Sequence, residues 1–292
     1  MLITLFILDS KDRECYNKIV IDMKKIAIIN DIHGNYLLLE KVLRKLREQN
    51  IDNYIIGGDL VTDGFENNLV IDTVKSLTKY VVQGNRDEDI ALYDGIKWKD
   101  NEHYKNMLYC YNELTEENKE YLKQLPKYLI INIAGKKIFV SHALPGNIRE
   151  IIKPFMTSLF DELIKKYDCD IYLFAHTHQN FDVKYKNRLF INAGAINCSS
   201  SGNKGSYYGI LTIEDNNVKY EQNIYEYDFN ELTNYYLTSD YYKFCPEWTN
   251  LILYNLKTGL DNCCPFFDNY DENLSYQDNF KKYMEERNFE IY

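Results

Sequence analysis

Three short apolar runs constrain the fold of this chain more than any other feature. Ile26-Ala27-Ile28-Ile29 ends in Asn30-Asp31, Tyr54-Ile55-Ile56 in Gly57-Gly58-Asp59, and Tyr80-Val81-Val82 in Gly84-Asn85. Short apolar runs closed by polar, glycine-containing loops read as buried strands. Between the first two, Leu39, Val42, Leu43 and Leu46 fall at i, i+3, i+4 and i+7, one face of a helix. Residues 69–77 supply a second helix. The pattern β-α-β-α-β predicts a parallel sheet whose functional loops lie at the carboxyl ends of its strands.

The rest of the chain changes character. Residues 101–125 are expected to be helical up to Pro126, with a turn starting at Thr115-Glu116-Glu117-Asn118. Residues 128–133 and 137–141 flank Ala134-Gly135-Lys136 as a hairpin that ends in His142. A helix over 157–166, a strand over 171–174 ending in Ala175-His176, and short strands over 181–186 and 188–191 follow. Residues 207–213 and 218–225 flank Asp215-Asn216-Asn217 as a further hairpin. A strand-rich, largely antiparallel second half favours a two-sheet α/β sandwich over a single Rossmann sheet. Beyond Asp228 the pattern is helical, with Phe229, Leu232 and Tyr236 at helical spacing and another helix over 251–256. From Thr258 the chain is polar and aromatic, and Asn262-Cys263-Cys264-Pro265 is expected to break any regular element. The expected organisation is an N-terminal extension over 1–22, a domain over 23–228 and a mostly helical extension over 229–292 packed on it. Residues 1–22 lack the basic start and small-residue cleavage site of a signal peptide. They hold none of the loop motifs and are expected to be dispensable for catalysis.

The loops after the strands carry the chemistry. Four of the five histidines lie in them, as Asp31-x-His33, Ser141-His142 and His176-x-His178, beside Gly58-Asp59 and Gly84-Asn85. A sheet sandwich would gather these groups on one edge. Asp31, His33, Asp59, Asn85, His142, His176 and His178 form a mixed nitrogen and oxygen set with no nearby Cys, suited to Mn, Fe, Zn, Co or Ni. Seven ligands are too many for one ion. Two divalent ions sharing one carboxylate would each have about four protein ligands and open positions for water, the arrangement of a two-metal hydrolase.

Composition narrows the partners. The 292 residues are 45% hydrophobic and 27% charged, which excludes a disordered or low-complexity chain. The net charge of −10 disfavours long nucleic acids and anionic membrane surfaces. No apolar run reaches the roughly 18 to 20 residues of a membrane helix. Seven scattered cysteines without a CxxC point to free thiols, hence a cytoplasmic protein. A small phosphorylated substrate is the partner expected of such a site.

The ordered series Asp31-Ile32-His33, Gly57-Gly58-Asp59, Gly84-Asn85-Arg86-Asp87, Ser141-His142 and Ala175-His176-Thr177-His178 resembles the motifs of the calcineurin-like metallophosphoesterases. The resemblance runs along about residues 24–257, includes Asn192-Ala193-Gly194, and points to small bacterial members of poorly defined substrate. It implies a four-layer α/β/β/α sandwich, two mixed sheets flanked by helices, with a helical C-terminal tail. It implies that Asp31, His33, Asp59 and His178 hold one ion while Asp59, Asn85, His142 and His176 hold the other, making Asp59 the bridge. The expected reaction is hydrolysis of a phosphomonoester, phosphodiester or phosphoanhydride by in-line attack of a hydroxide shared by the ions. A non-catalytic metal-binding scaffold and a protein phosphatase are the alternatives on the same fold.

Two positions depart from the family pattern. Where the family often has GNH, this chain has Arg86, which cannot give up its proton at neutral pH but can bind phosphoryl oxygens in a bidentate manner. Arg86 is therefore expected to clamp the phosphoryl group, oriented by Asp87, the alternative being a surface Arg paired with Asp87. Ala175 replaces a common Gly and keeps both histidines in register. Of the remaining features, the 27 Tyr read as packing, although Tyr235-Tyr236 and Tyr241-Tyr242 could line a substrate wall. His103 reads as a solvated helix residue. The loop Ser199-Ser200-Ser201-Gly202-Asn203-Lys204-Gly205 is either a plain connection or a rim over the site, with Lys204 a candidate phosphate contact.

Overall fold

A computed structural model describes residues 24–99, 101–214 and 217–292. The expectations for residues 1–22, for Cys15 and Met23, and for Asp215-Asn216 in a hairpin turn lie outside them. Two mixed sheets form the centre. The first has the order β2 (Tyr54–Ile56), β1 (Lys24–Ile29), β8 (Ser206–Glu214), β9 (Asn217–Tyr225). The second has the order β3 (Tyr128–Ile133), β4 (Lys136–Ser141), β5 (Ile171–Phe174), β7 (Arg188–Ala193), β6 (Asn180–Tyr185).

The two-residue period of a strand builds the layers. In β1, Ile26 and Ile28 point toward the second sheet, where they meet Ile138, Val140, Ile171, Leu173 and Ile191 in a core between the sheets. Ala27 and Ile29 point the other way, into a core filled by Leu39, Val42, Leu43 and Leu46 of α1 (Tyr36–Glu48) and by Val70, Ile71 and Val74 of α2 (Asn67–Leu77). On the far side of the second sheet, Phe139, Tyr172, Phe174 and Phe190 pack under Phe160 and Leu163 of α6 (Thr157–Tyr167). The result is the expected α/β/β/α sandwich.

β1 and β2 are parallel, as are β4, β5 and β7. These five strands therefore deliver their carboxyl ends to one edge in each sheet. The Asn30 side chain ties the edges together by donating to the Phe174 carbonyl across 3.1 Å. Two tight hairpins serve the second sheet. Ala134-Gly135 and Lys186-Asn187 all have positive φ, the demand of a two-residue turn that matches strand twist.

Three expectations need correction. Tyr80-Val81-Val82 makes a single parallel bridge, Val81 to Ile56, rather than a strand. Asn85 does not sit in an open loop but opens the helix α3 (Asn85–Ala91). Cys263-Cys264-Pro265 begins α10 (Cys263–Asp268), because proline is tolerated in a first helical turn where no intrahelical N–H bond is lost. The middle helical stretch divides into a single 3-10 turn over Glu102–Tyr104, α4 (Lys105–Glu113) and α5 (Glu116–Gln124), the last capped by Thr115 Oγ1 accepting from the Asn118 amide. The C-terminal region is helical, with α7 (Phe229–Leu237), α8 (Asp240–Phe244), α9 (Pro246–Thr258), α10 and α11 (Tyr276–Glu286). Its Tyr236, Trp248, Leu251, Phe266 and Met284 share the core of α1 and α2. No helix among the described residues is long and apolar enough to cross a membrane.

Candidate metal centre

Asp31 and His33 follow β1, Asp59 follows β2, His142 follows β4, and His176 and His178 follow β5. Their ligand atoms converge in two overlapping groups, Asp31 with His33 and His178, and Asp31 with Asp59 and His142, all within 4.8 Å of one another in each group. Asp59 Oδ2 lies 3.7 Å from His33 Nε2 and 3.5 Å from His142 Nε2, so both carboxylates stand between imidazoles. Asn85 Oδ1 is 3.0 Å from His142 Nε2.

The backbone is bent to achieve this. Asp31, His33, Asp59, His176 and His178 all have φ between 49° and 69°, the left-handed region that a side chain enters at a cost of about 1–3 kcal/mol. Strain held at five converging polar residues marks a functional site. Gly84 is required for close approach, since a Cβ there would lie 2.1 Å from Asp59 Oδ1.

Outer hydrogen bonds decide which imidazole nitrogens face inward. His178 Nδ1 is 2.8 Å from the Cys198 carbonyl, and His142 Nδ1 is 2.8 Å from the Gly57 carbonyl. Each Nδ1–H therefore donates outward and turns Nε2 inward. His33 Nδ1 faces Asp63 Oδ2 at 3.3 Å, with Thr62 Oγ1 at 3.4 Å. His33 Nε2 and His178 Nε2 then meet at 3.0 Å with both lone pairs inward. That geometry is repulsive unless a cation or a shared proton lies between them. Both oxygens of Asp31 are buried without a hydrogen-bond partner, an arrangement that is costly for a carboxylate. Inward lone pairs, an orphaned carboxylate and outward Nδ1–H donors together match the donor set of divalent ions held by histidine and aspartate.

The charges respond to the same crowding. Burial pushes the Asp31 carboxyl up to about 6 despite His178 and His142. Burial holds His33 and His176 down to about 4, so both are neutral at pH 7. For His142 burial is outweighed by Asp59 and Asp31, which raise it to about 9. Among these side chains alone His142 therefore holds a proton at neutral pH, and that proton must leave before its Nε2 can act as a ligand. Asp59 is buried too, yet His142 and His33 keep it below the usual carboxylate range.

His176 stands apart from the two groups. Its ring centroid is 5.2 Å from that of His142, but its Nε2 is 3.2 Å from the Arg149 carbonyl, which leaves Nδ1 as the lone-pair nitrogen.

Arg86 and Asp87 are not a pair. Asp87 is buried and turned toward the loop after β2, where it accepts from the amides of Asp59, Leu60 and Gly84, each at 2.9 Å. It braces the Asp59 loop instead of orienting Arg86. Burial, with the Asp59 charge, pushes it up to about 7. Asp87→Ala would leave three buried N–H groups unsatisfied, and a loss of about 3 kcal/mol or more is expected in urea unfolding. An unchanged midpoint would contradict the bracing role. The Arg86 guanidinium lies on the cavity wall, kept charged despite burial by Asp63 and Asp59, while its backbone N–H donates to Asp59 Oδ1 at 2.8 Å.

Asp63 is the residue that sequence reasoning missed. One oxygen faces His33, and the other accepts from Trp248 Nε1 at 2.8 Å and Asn106 Nδ2 at 2.9 Å. The acidic Asp59-to-Asp63 spacing within one loop was the available signal. The cavity over the centre, about 180 Å³, is also walled by Trp248, Asn255 and Cys263 of the C-terminal helices.

Other expected contacts move elsewhere. Lys204 is exposed and does not line this cavity, whereas Ser200 of the same loop does. The loop instead docks on α9 through the Gly202 amide and the Gly259 carbonyl. The tyrosine pairs form no substrate wall. Tyr236 is buried behind the site, its hydroxyl within 3.3 Å of the Asn35 and Asn197 amide nitrogens, and Tyr241 is fully buried. His103 is only partly solvated, since its Nε2 is 3.1 Å from Tyr270 Oη and its ring packs on Phe267 and Tyr276.

Known proteins share this fold. An uncharacterized protein of Methanocaldococcus jannaschii is 27% identical over 171 residues, covering 59% of this chain and 69% of the relative. The fold matches a metallophosphoesterase from Sphaerobacter thermophilus with a TM-score of 0.63 at 20% identity, covering 81% of this chain and 99% of that one. A hypothetical protein from Pyrococcus horikoshii superposes with the same TM-score and identity over 78% of this chain and 97% of its own. Residues 23–216, which hold every strand-end candidate ligand described above, match the family model of the calcineurin-like phosphoesterase superfamily domain, and the chain belongs to that superfamily.

Proposed function

We propose that the protein is a dimetal phosphoesterase acting on a small phosphorylated molecule, a phosphomonoester, phosphodiester or phosphoanhydride. The observation that carries this is the inward-facing set of Nε2 lone pairs around the orphaned Asp31 carboxylate. Asp31, His33, Asp59 and His178 would hold one ion, and Asp59, Asn85, His142 and His176 the other. Two divalent ions there, of the Mn, Fe, Zn, Co or Ni class, would supply Lewis acidity toward phosphoryl oxygens and make water acidic enough to act as a nucleophile near neutral pH. The chain's own part is positional. Asp63 and the Gly57 and Cys198 carbonyls orient the imidazoles, and Arg86 offers a fixed cation to the phosphoryl oxygens. The small cavity and the net charge of −10 support a small substrate over long nucleic acids. Among the described residues six cysteines are free, four of them buried, which supports a reducing, cytoplasmic setting. The shared core of α7, α9 and α11 with α1 supports treating 229–292 as an extension packed on a domain over 23–228.

Metal analysis of freshly purified protein is expected to give two equivalents of divalent metal. A hundredfold excess of metal over its Kd should add about 2.7 kcal/mol per bound ion to the unfolding free energy, lost on chelation. Protein that binds no ion and gains no hydrolysis with Mn, Co, Ni or Zn would defeat the proposal. Tight metal binding with no turnover on any phosphoester would favour the non-catalytic scaffold.

A further inference from the structure

A second cavity, about 260 Å³, adjoins the metal-side cavity and is walled by Arg86, His103, Tyr104, Asn106, Met107, Trp248 and Phe267. Arg86 and Trp248 line this cavity and the metal-side cavity alike, so the two spaces are neighbours with two walls in common. Four of the wall residues are aromatic. His103 is stacked on Phe267 with centroids 5.7 Å apart and planes 26° apart, and Trp248 lies 6.1 Å from Phe267. The Arg86 guanidinium is 3.8 Å from Met107 Sδ, a soft, polarizable floor. His103 and Met107 come from the segment between α3 and α5, whereas Trp248 and Phe267 come from α9 and α10, beyond the residues matched by the superfamily domain.

From this juxtaposition we infer that the aromatic cavity is the leaving-group subsite, and that it selects nucleotide-sized phosphoesters whose alcohol side carries a planar base. The inference rests on the phosphoesterase reading of the adjoining site. Three features carry it. The cavity shares Arg86, the residue proposed to meet a phosphoryl oxygen, and Trp248 as walls with the metal-side cavity. Beside the Arg86 and Asn106 side chains, its walls are four aromatic residues and a thioether, which reward a flat polarizable group with polar edges. It has room for a base and sugar but not for a polymer, in keeping with the acidic surface. Base stacking on such rings is tolerant of base identity, so selection should be for a planar base in general.

The test uses the full chain in two measurements. First, binding of adenosine alone is followed by calorimetry in the presence of chelator, so that no catalysis enters. Phe267→Ala and His103→Ala are each expected to weaken it on the order of tenfold, as for loss of one stacking ring. Phe267 is partly exposed, so its truncation should leave the fold intact, and His103→Ala gives a second reading from the ring stacked beside it. Second, kcat/KM is compared for matched pairs with the metal-loaded protein, adenosine 5′-monophosphate against glycerol 3-phosphate, and a dinucleoside monophosphate against glycerophosphocholine. The nucleotide member of the hydrolysed pair should be preferred at least tenfold, and the preference should shrink by about that factor in both variants. Adenosine binding that is absent, or equal in all three proteins, overturns the subsite whatever the turnover shows. A nucleotide preference near one overturns it as well. Adenosine binding that depends on Phe267 and His103, with no hydrolysis under any metal, supports the subsite and overturns the phosphoesterase reading instead.

Discussion

Asp59→Asn is expected to lower metal-dependent hydrolysis on the order of a thousandfold or more. The substitution keeps the shape of the side chain and its acceptor for the Arg86 amide, so folding should survive. It removes the one negative charge that sits between His33 Nε2 and His142 Nε2. Loss of a shared anionic ligand weakens both ions together, and metal charge stabilisation is worth several kcal/mol of barrier, at about 1.36 kcal/mol per tenfold in rate. Metal content should fall in parallel with turnover. Asp31→Asn makes the comparison sharper, because Asp31 belongs to both ligand groups whereas Asp59 belongs to one of them. If Asp59 is the bridge, Asp59→Asn should deplete both ions, and Asp31→Asn should chiefly deplete the one held with His33 and His178. Wild-type turnover and two retained ions in Asp59→Asn would show that the centre lies elsewhere.

The positions of these ligands were legible in the sequence for a simple reason. A buried strand must give up its apolar pattern where it leaves the core, so Asp31, Asp59, His142 and His176 stand out at the ends of Ile29, Ile56, Ser141 and Phe174. What was not legible depends on contacts that chain order does not encode. Adjacent Arg86 and Asp87 look like a pair, but neighbouring residues on a helix do not face each other, and Asp87 turns to the amides of the Asp59 loop. Asp63 becomes the partner of His33 only because its loop folds back, and Trp248, 185 residues later, fixes its other oxygen. Tyr80-Val81-Val82 has the apolar content of a strand but only one bridge, because the chain turns at once into Gly84 and α3. His103 was read as solvated since its partners, Phe267 and Tyr270, belong to a tail whose polar and aromatic composition hides its helices.

The guanidinium of Arg86 separates two chemical roles by experiment. As an electrostatic clamp it should behave like a preorganised donor, and Arg86→Ala should lower turnover by a factor on the order of ten to a thousand. Metal content should stay intact, because the group that holds Asp59 at this position is the backbone N–H, which alanine also has. As a general acid it would have to release a proton near neutral pH, and a guanidinium with a pKa above about 12 does not. Its surroundings strengthen the case, since burial is countered by Asp63 and Asp59, which hold the charge in place. The pH profile of Arg86→Ala should therefore keep the limbs of the native protein's profile and only scale down. Arg86→His restores an acid of ordinary pKa at the position where the family often has one. It should raise activity toward substrates with poor leaving groups, where protonation of the departing oxygen lowers the barrier, more than toward aryl phosphates, which leave unaided. A native limb that vanishes in Arg86→Ala would assign Arg86 the acid role. Equal kinetics of native, Ala and His proteins on both substrate kinds would remove it from the chemistry, even though it stands 27 residues beyond Asp59 with its amide on that carboxylate.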